Sequence, residues 1–262
     1  MNKGQPEGTE EEINFVKVLN RKEKKEFWRI LGLDPDGHFA IHVISHKFGK
    51  INGSKIKPKA DIYIAEGSVD IPGLAKADFY LDENSVGRFS LKPVPETGIS
   101  VKRVDSTRYQ ILKMNPNTFK TVFGSYELGA GASIYCSKKE ELEKNPEVLA
   151  GWNIDWEKFE KVFGRIANVR ALKDRKTPPE IRLSAAKKIK AFSNKKIELQ
   201  IDDNKKISEF VFQGIGNFEE PYTAYWLYEH GSLKNAGRIP FVVTTGSGRS
   251  KGDFTVVIKP NN

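Results

Sequence analysis

Two segments of the chain carry residue types from which a phosphodiester-cleaving centre could be built. The first reads Lys57-Pro58-Lys59-Ala60-Asp61-Ile62-Tyr63-Ile64 and puts one carboxylate at the head of a short apolar strand. The second, residues 98–103, reads Gly-Ile-Ser-Val-Lys-Arg and puts Lys102 on a neighbouring strand-like run. Hard cations such as magnesium take oxygen ligands. A carboxylate at one strand end and a backbone carbonyl on the next strand can share such an ion, and the ion lowers the pKa of a bound water. Asp61 and the carbonyl of Val101 are the candidate metal ligands. The Lys102 ammonium would orient the water or meet the charge that develops on the phosphate. Ile62, Ile64, Ile99 and Val101 would fix this geometry by packing in a sheet. The plain alternative is an Asp that merely begins a strand and a Lys-Arg pair that is merely solvated.

The flanking elements must hold these two strands side by side. Residues 10–33 read as helix, broken near Asn20, with Phe15, Val16, Leu19 and then Phe27, Ile30, Leu31 at helical spacing. The cluster Asp34-Pro35-Asp36-Gly37 makes a turn. Residues 38–47 alternate as a strand, and 61–65 form a short one. Segments 77–81, 88–92 and 99–104 are further strand candidates. Asn115-Pro116-Asn117 opens a helix through Phe123, with Asn115 as cap and Pro116 at its first turn. Residues 146–151, 156–165 and 179–192 read as helices, and 195–201 as a strand. Residues 239–244 and 254–258 form a C-terminal hairpin. Helix, strand series, helices and hairpin predict a mixed α/β or α+β fold. No linker stands out, so residues 1–262 are expected as one domain, with 1–9 a loose tail.

Bulk composition narrows the partners. The chain has 262 residues, 38% hydrophobic and 29% charged, enough to bury a core. No stretch approaches the roughly 20 apolar residues of a membrane helix. The N-terminus lacks an apolar signal core, so a soluble, cytoplasmic protein without membrane partners is expected. One cysteine, Cys136, excludes an internal disulfide, and four scattered His argue against a zinc site. A buried structural thiol is expected for Cys136. The net charge of +9 favours a nucleic-acid partner.

Candidate contacts to nucleic acid lie in two places. Lys47, Lys50, Lys55, Lys57 and Lys59 stand in and beside the loop that enters the Asp61 strand, where they would neutralise phosphates. The hairpin turn 245–252 carries Ser247, Arg249 and Lys251 among three glycines, and a two-stranded ribbon fits the major groove. Lys187, Lys188 and Lys190 fit a solvated helix face. Tyr222, Tyr225, Trp226 and Tyr228 fit a core rather than a base-stacking platform. His42 and His46 share a strand face near Asp61, with structural roles expected for both.

Pro-Lys-Ala-Asp followed by Ile-Ser-Val-Lys-Arg resembles the PD-(D/E)xK nuclease superfamily, and most of all type II restriction endonucleases of the MspI kind. In that subgroup a neutral polar residue replaces the middle carboxylate, and here that residue is Ser100. The run after Lys102 is similar to the polar run that follows the catalytic strand in such enzymes, and it carries Arg103, Ser106, Arg108 and Gln110. The C-terminal hairpin also looks like theirs. The resemblance implies a restriction-endonuclease-like core, a central mixed sheet flanked by helices with a C-terminal hairpin. It implies magnesium-dependent hydrolysis of double-stranded DNA at a short specific sequence, with Asp61, Ser100 and Lys102 catalytic. A DNA methyltransferase would be the genetic partner, and a monomer or a homodimer fits equally. Two features leave room for other readings. Asp78 also heads a strand-like run and stands nearer to Ser100, and Ser90-Leu91-Lys92 is a second Ser-x-Lys. A reduced site would want another acid, and Glu12 or Glu26 could supply it. A non-catalytic DNA-binding module and a repair nuclease of the same superfamily are the rival functions.

Overall fold

Asn20 ends the first helix and fastens the first strand. The computed structural model describes residues 5–44, 57–103, 109–134, 142, 145–245 and 254–261. Helix α1 (Gln5–Asn20) stops where expected and α2 (Lys25–Leu31) follows. The start of α1 lies inside the segment expected as a loose tail. The buried Asn20 side chain donates to the carbonyls of Ala40 (3.0 Å) and Phe79 (2.9 Å) and accepts from the Ala40 N–H (2.7 Å). Ala40 belongs to the edge strand β1 (His38–His42), so one amide side chain takes the place of a missing neighbour strand.

The packing of the chain divides into two compact units, one of residues 1–107 and 212–239, the other of 108–211 and 240–262. The first holds a six-stranded mixed sheet. Its strands are β1, β2 (Ile62–Glu66), β3 (Lys92–Pro93), β4 (Ile99–Val101), β6 (Trp226–Glu229) and β7 (Ser232–Asn235). The order is β1-β2-β4-β6-β7, with β3 on β2. The β4–β6 pair is parallel and the others are antiparallel. Both faces are covered, which is why β2 reads as an unbroken apolar run. On one face Phe15, Val16, Leu19, Phe27 and Trp28 of α1 and α2 pack on Ala40, Ile62, Ile64, Ile99 and Val101. On the other, Phe39, Ile41, Tyr63 and Ala65 meet Leu74, Leu81 and Leu91. Each large apolar side chain buried this way contributes about 1.5–3 kcal/mol.

Gly98 is required by close approach. A Cβ there would lie 1.8 Å from the Thr223 carbonyl oxygen. The Gly98 carbonyl in turn accepts from the N–H groups of Tyr225 (2.9 Å) and Trp226 (3.0 Å), which sets the register of β6 on β4.

Several expectations for this unit need correction. Segment 77–81 is not a strand. It follows α3 (Ile71–Lys76), which Asp70 caps, and Asp78 and Phe79 take left-handed φ of 50° and 61°. Segment 88–92 is a strand only at Lys92, where β3 begins; Arg88 ends α4 (Glu83–Arg88) and Phe89 and Ser90 form a turn. Asp82 caps α4, its carboxylate accepting from the N–H groups of Asn84 and Ser85. Two aspartate caps thus override an alternating apolar pattern.

In the second unit β5 (Leu112–Met114), β8 (Phe241–Thr245) and β9 (Val256–Pro260) form a sheet in the order β5-β9-β8. The β8–β9 pair is the expected C-terminal hairpin. The helix α5 (Pro116–Phe123) starts as read, with Asn115 accepting from the Thr118 N–H at 2.9 Å. Segment 195–201 is not a strand but the end of one long helix, Pro179–Asp203. Ala185, Ile189, Ser193, Ile197 and Ile201 are all buried along it at helical spacing, and small Ser193 hides that stripe from a search for apolar residues. No helix among the described residues is long and apolar enough to cross a membrane.

Removing the Asn20 clamp leaves the buried Ala40 backbone groups and the half-buried Phe79 carbonyl without their partner. Asn20→Ala should therefore lower unfolding stability by about 2–4 kcal/mol, read from urea titration. A loss under about 0.5 kcal/mol would show that the clamp contributes little.

Candidate functional site

Asp61 stands one residue before β2, where that strand parts from β4. Its backbone still bridges both sides: its N–H donates to Ile99 O (2.9 Å) and its carbonyl accepts from the Val43 N–H (3.0 Å). At the next rung the side chain replaces the main chain. Oδ2 of Asp61 accepts from the Val101 N–H at 2.8 Å and from the Ser100 hydroxyl at 3.2 Å. The Lys102 ammonium donates to the same hydroxyl at 2.7 Å. Lys102 is anchored in turn by its N–H on the Tyr228 carbonyl of β6 (2.8 Å). Ser100 and Lys102, two apart on an extended strand, project to one face. The result is a continuous chain from Lys102 through Ser100 to Asp61.

The surroundings tune these groups. Burial pushes the Asp61 carboxyl above its ordinary range, and the nearby Glu12 charge pushes the same way. The Lys102 ammonium, the Val101 N–H and the Ser100 hydroxyl oppose both. Lys59 lies half-buried beside them. Burial lowers its pKa to about 7, the Lys102 charge adds to that, and Asp61 works against it. Gly214, at φ +78°, makes room for the Lys59 stem, since a Cβ there would stand 2.6 Å from Cγ of Lys59. Nothing in the local sequence pairs Gly214 with Lys59.

Of the two acids considered on the first helices, Glu12 is the one whose charge reaches Asp61, while Glu26 is exposed on α2. Oε2 of Glu12 is 3.0 Å from Nε2 of His42, and Nδ1 of His42 is 2.9 Å from the Tyr80 hydroxyl. His42 belongs to β1 and is buried. Among the described residues no three His, Cys, Asp or Glu side chains are arranged to hold a metal. Magnesium, by contrast, is commonly held by one or two carboxylates and completes its shell with water and phosphate oxygens. Asp61, Glu12 and the Val101 carbonyl are the oxygen atoms here that could serve such an ion.

The rival residues lie elsewhere. Asp78 is an exposed surface acid bound by Lys17 (2.7 Å) and Arg21 (2.5 Å) of α1, and these two cations hold its carboxyl below the usual range. Ser90 sits in a left-handed turn at φ 52°, and Lys92 is exposed on β3. Lys57 is exposed ahead of Asp61, Arg103 is half-buried just after β4, and Gln110 is exposed ahead of β5. Lys47, Lys50, Lys55, Ser106, Arg108, Ser247, Arg249, Lys251, His46 and Cys136 lie outside the described residues. Trp226 and Tyr228 pack half-buried against the core, while Tyr222 and Tyr225 are half-buried and the Tyr222 hydroxyl donates to Glu83. Tyr228 stacks on Phe15 at 3.7 Å, and the Trp226 indole N–H donates to Glu96 O. Lys187 and Lys188 are exposed, and Lys190 donates to the Thr245 hydroxyl (3.1 Å) at the end of β8.

The fold is a mixed α+β arrangement in which a mixed sheet is flanked by helices. One solved structure similar to it is that of the restriction endonuclease MspI in complex with its cognate DNA. The similarity covers 94% of this chain and 83% of that one, with a TM-score of 0.42 and 14% sequence identity. No protein-family model matches the chain, and no curated protein matches it.

The Lys59 environment has a measurable consequence. Its amine titrates at about 7 in the folded chain against 10.5 for the ordinary group. Between those values the unfolded chain binds more protons, so this residue makes stability rise with pH across that window. The stability of the wild type relative to Lys59→Met should therefore increase from about pH 7 to about pH 10 in urea titrations. A difference independent of pH would show that the amine is not desolvated in the fold.

Proposed function

We propose that this chain is a magnesium-dependent type II restriction endonuclease that hydrolyses double-stranded DNA at a short specific sequence. The observation that carries the reading is the hydrogen-bonded chain Lys102–Ser100–Asp61 at the point where β2 and β4 part. Asp61, the Val101 carbonyl and Glu12 would hold the magnesium ion. When bound, the ion polarises the phosphate and lowers the pKa of a water. Lys102 directs that water at phosphorus and screens the charge that builds on the phosphate oxygens. The P–O bond opposite the water would break, the proton lost by the water passing to solvent and the leaving oxygen taking one from solvent, to give a phosphate end and a hydroxyl end. Ser100 fills the place of a second carboxylate. It cannot ligate as an anion, but it fixes the Lys102 ammonium and the Asp61 carboxylate relative to each other.

Lys59 adds a second amine beside the scissile phosphate. DNA phosphates beside it would favour its charged form, so the bound state gains a cation that the free site holds only in part. Lys55, Lys57, Arg103, Ser106, Arg108 and Gln110 are the proposed flanking contacts, and Ser247, Arg249 and Lys251 of the hairpin turn the proposed groove contacts. The net charge of +9 supports such binding. A DNA methyltransferase as genetic partner and a cytoplasmic location follow from the same reading.

Substitution tests the assignment. Lys102→Ala and Asp61→Ala should each reduce cleavage of unmethylated duplex DNA by at least about a hundredfold, while filter binding of the same DNA persists. Asp78→Ala should cleave as the wild type does. Full cleavage by Lys102→Ala, or loss of cleavage in Asp78→Ala, would sink the assignment. Binding without any magnesium-dependent product would favour a non-catalytic DNA-binding module. Nicking that follows DNA structure rather than sequence would favour a repair nuclease.

A further inference from the structure

The contacts of His42 serve no part of the chemistry above, yet its ring is fixed at both nitrogens and buried at 3% exposure. Its backbone is fixed as well. The His42 N–H donates to Leu81 O at 2.9 Å, and the residue pairs with Ile62 across β1 and β2. One side of the ring faces Glu12 and the other faces Tyr80, which follows the left-handed pair Asp78 and Phe79.

In a neutral ring these contacts fit one tautomer. Burial pushes the Tyr80 hydroxyl up to about 12, with Asp82 and Glu12 adding to it, so the phenol keeps its proton and can donate to Nδ1. Nε2 then carries the ring hydrogen and donates to Oε2 of Glu12, which as a carboxylate oxygen accepts. With both nitrogens engaged, His42 has no lone pair to offer a metal or a substrate. It is therefore suited neither to ligate nor to act as a general base.

We propose that His42 is a positioning residue: its ring, pinned by the Tyr80 phenol, holds the Glu12 carboxylate beside Asp61 so that both acids serve one divalent cation. The inference rests on the reading of Asp61 and Glu12 as an oxygen donor set. A free glutamate on a helix samples many rotamers, and holding it in one costs side-chain entropy. A hydrogen bond from a ring already fixed at its far nitrogen supplies the ordering in advance. Outer partners of this sort commonly alter metal affinity by about 10–100-fold. The same contact explains how a site with Ser100 in place of an acid can retain two carboxylates, drawn from α1 and from the head of β2.

The test uses the full chain and manganese(II) as probe, with binding followed by electron paramagnetic resonance. Tyr80→Phe and His42→Leu should each weaken manganese binding by about tenfold or more, and His42→Gln, which keeps a donor, should recover most of the loss. In a Glu12→Gln background, His42→Leu should produce no further loss, because it acts through the missing carboxylate. Should His42→Leu fail to fold, Tyr80→Phe carries the same comparison. Unchanged affinity in the folded variants, an equal loss in the Glu12→Gln background, or no manganese binding by the wild type would overturn the inference. Manganese binding with the expected dependence but no cleavage of DNA would overturn the nuclease reading and leave this one standing.

Discussion

The hydrogen bond from the Val101 N–H to the Asp61 carboxylate, 2.8 Å long, is the constraint from which the site follows. Along β2 and β4 the main chains pair once, at Ile62 and Ile99, and then separate. A separated strand end would leave the Val101 N–H without a partner, and a buried amide needs one. The Asp61 side chain supplies it. A carboxylate is thereby locked at the end of a sheet, in line with whatever stands beside Val101. The same bond decides the position of Lys102, because the strand alternation that aims Val101 at the core aims Ser100 and Lys102 away from it. Gly98 permits the arrangement from below, by letting β4 and the 223–226 segment approach more closely than any side chain allows.

Charge balance follows from that placement. Two acids, Asp61 and Glu12, and two amines, Lys59 and Lys102, share a half-buried space. Burial makes the charges of Asp61 and Lys59 more costly to hold, driving the Asp61 carboxyl up and the Lys59 amine down. Opposite charges restrain both shifts. Such a site is easily tipped by an added charge: a divalent cation favours the ionised acids, and a phosphate favours the charged amines. On the proposed reading, metal and nucleic acid would reinforce each other's binding through these side chains.

Much of this was legible in the chain, for local reasons. Asp61 ahead of Ile-Tyr-Ile, the Ile-Ser-Val-Lys strand, the break at Asn20 and the Asn115 cap are each written within a few neighbouring residues. The errors were also local. Segment 77–81 alternates like a strand, but Asp70 and Asp82 cap short helices on either side of it and the chain turns left-handed between them. Segment 195–201 alternates too, yet Leu199 is exposed and the buried stripe follows helical spacing. What could not be read was partnership across the chain. Asp78 stood as a rival to the preferred Asp61, and the sequence does not show that Lys17 and Arg21 bind it. Glu12 stood level with Glu26, and His42 beside neither, because contacts between α1, β1 and the Tyr80 turn depend on the packing of three elements. Gly214 under Lys59 is a contact of the same kind.

The central claim is that the Lys102–Ser100–Asp61 chain is a phosphodiester-cleaving centre that needs a divalent cation. The most direct measurement is digestion of a mapped, unmethylated plasmid by the purified protein, with magnesium and with EDTA. The account predicts a set of discrete fragments in magnesium and intact plasmid in EDTA. Intact plasmid in both, across substrates that contain every short palindromic sequence, would contradict it.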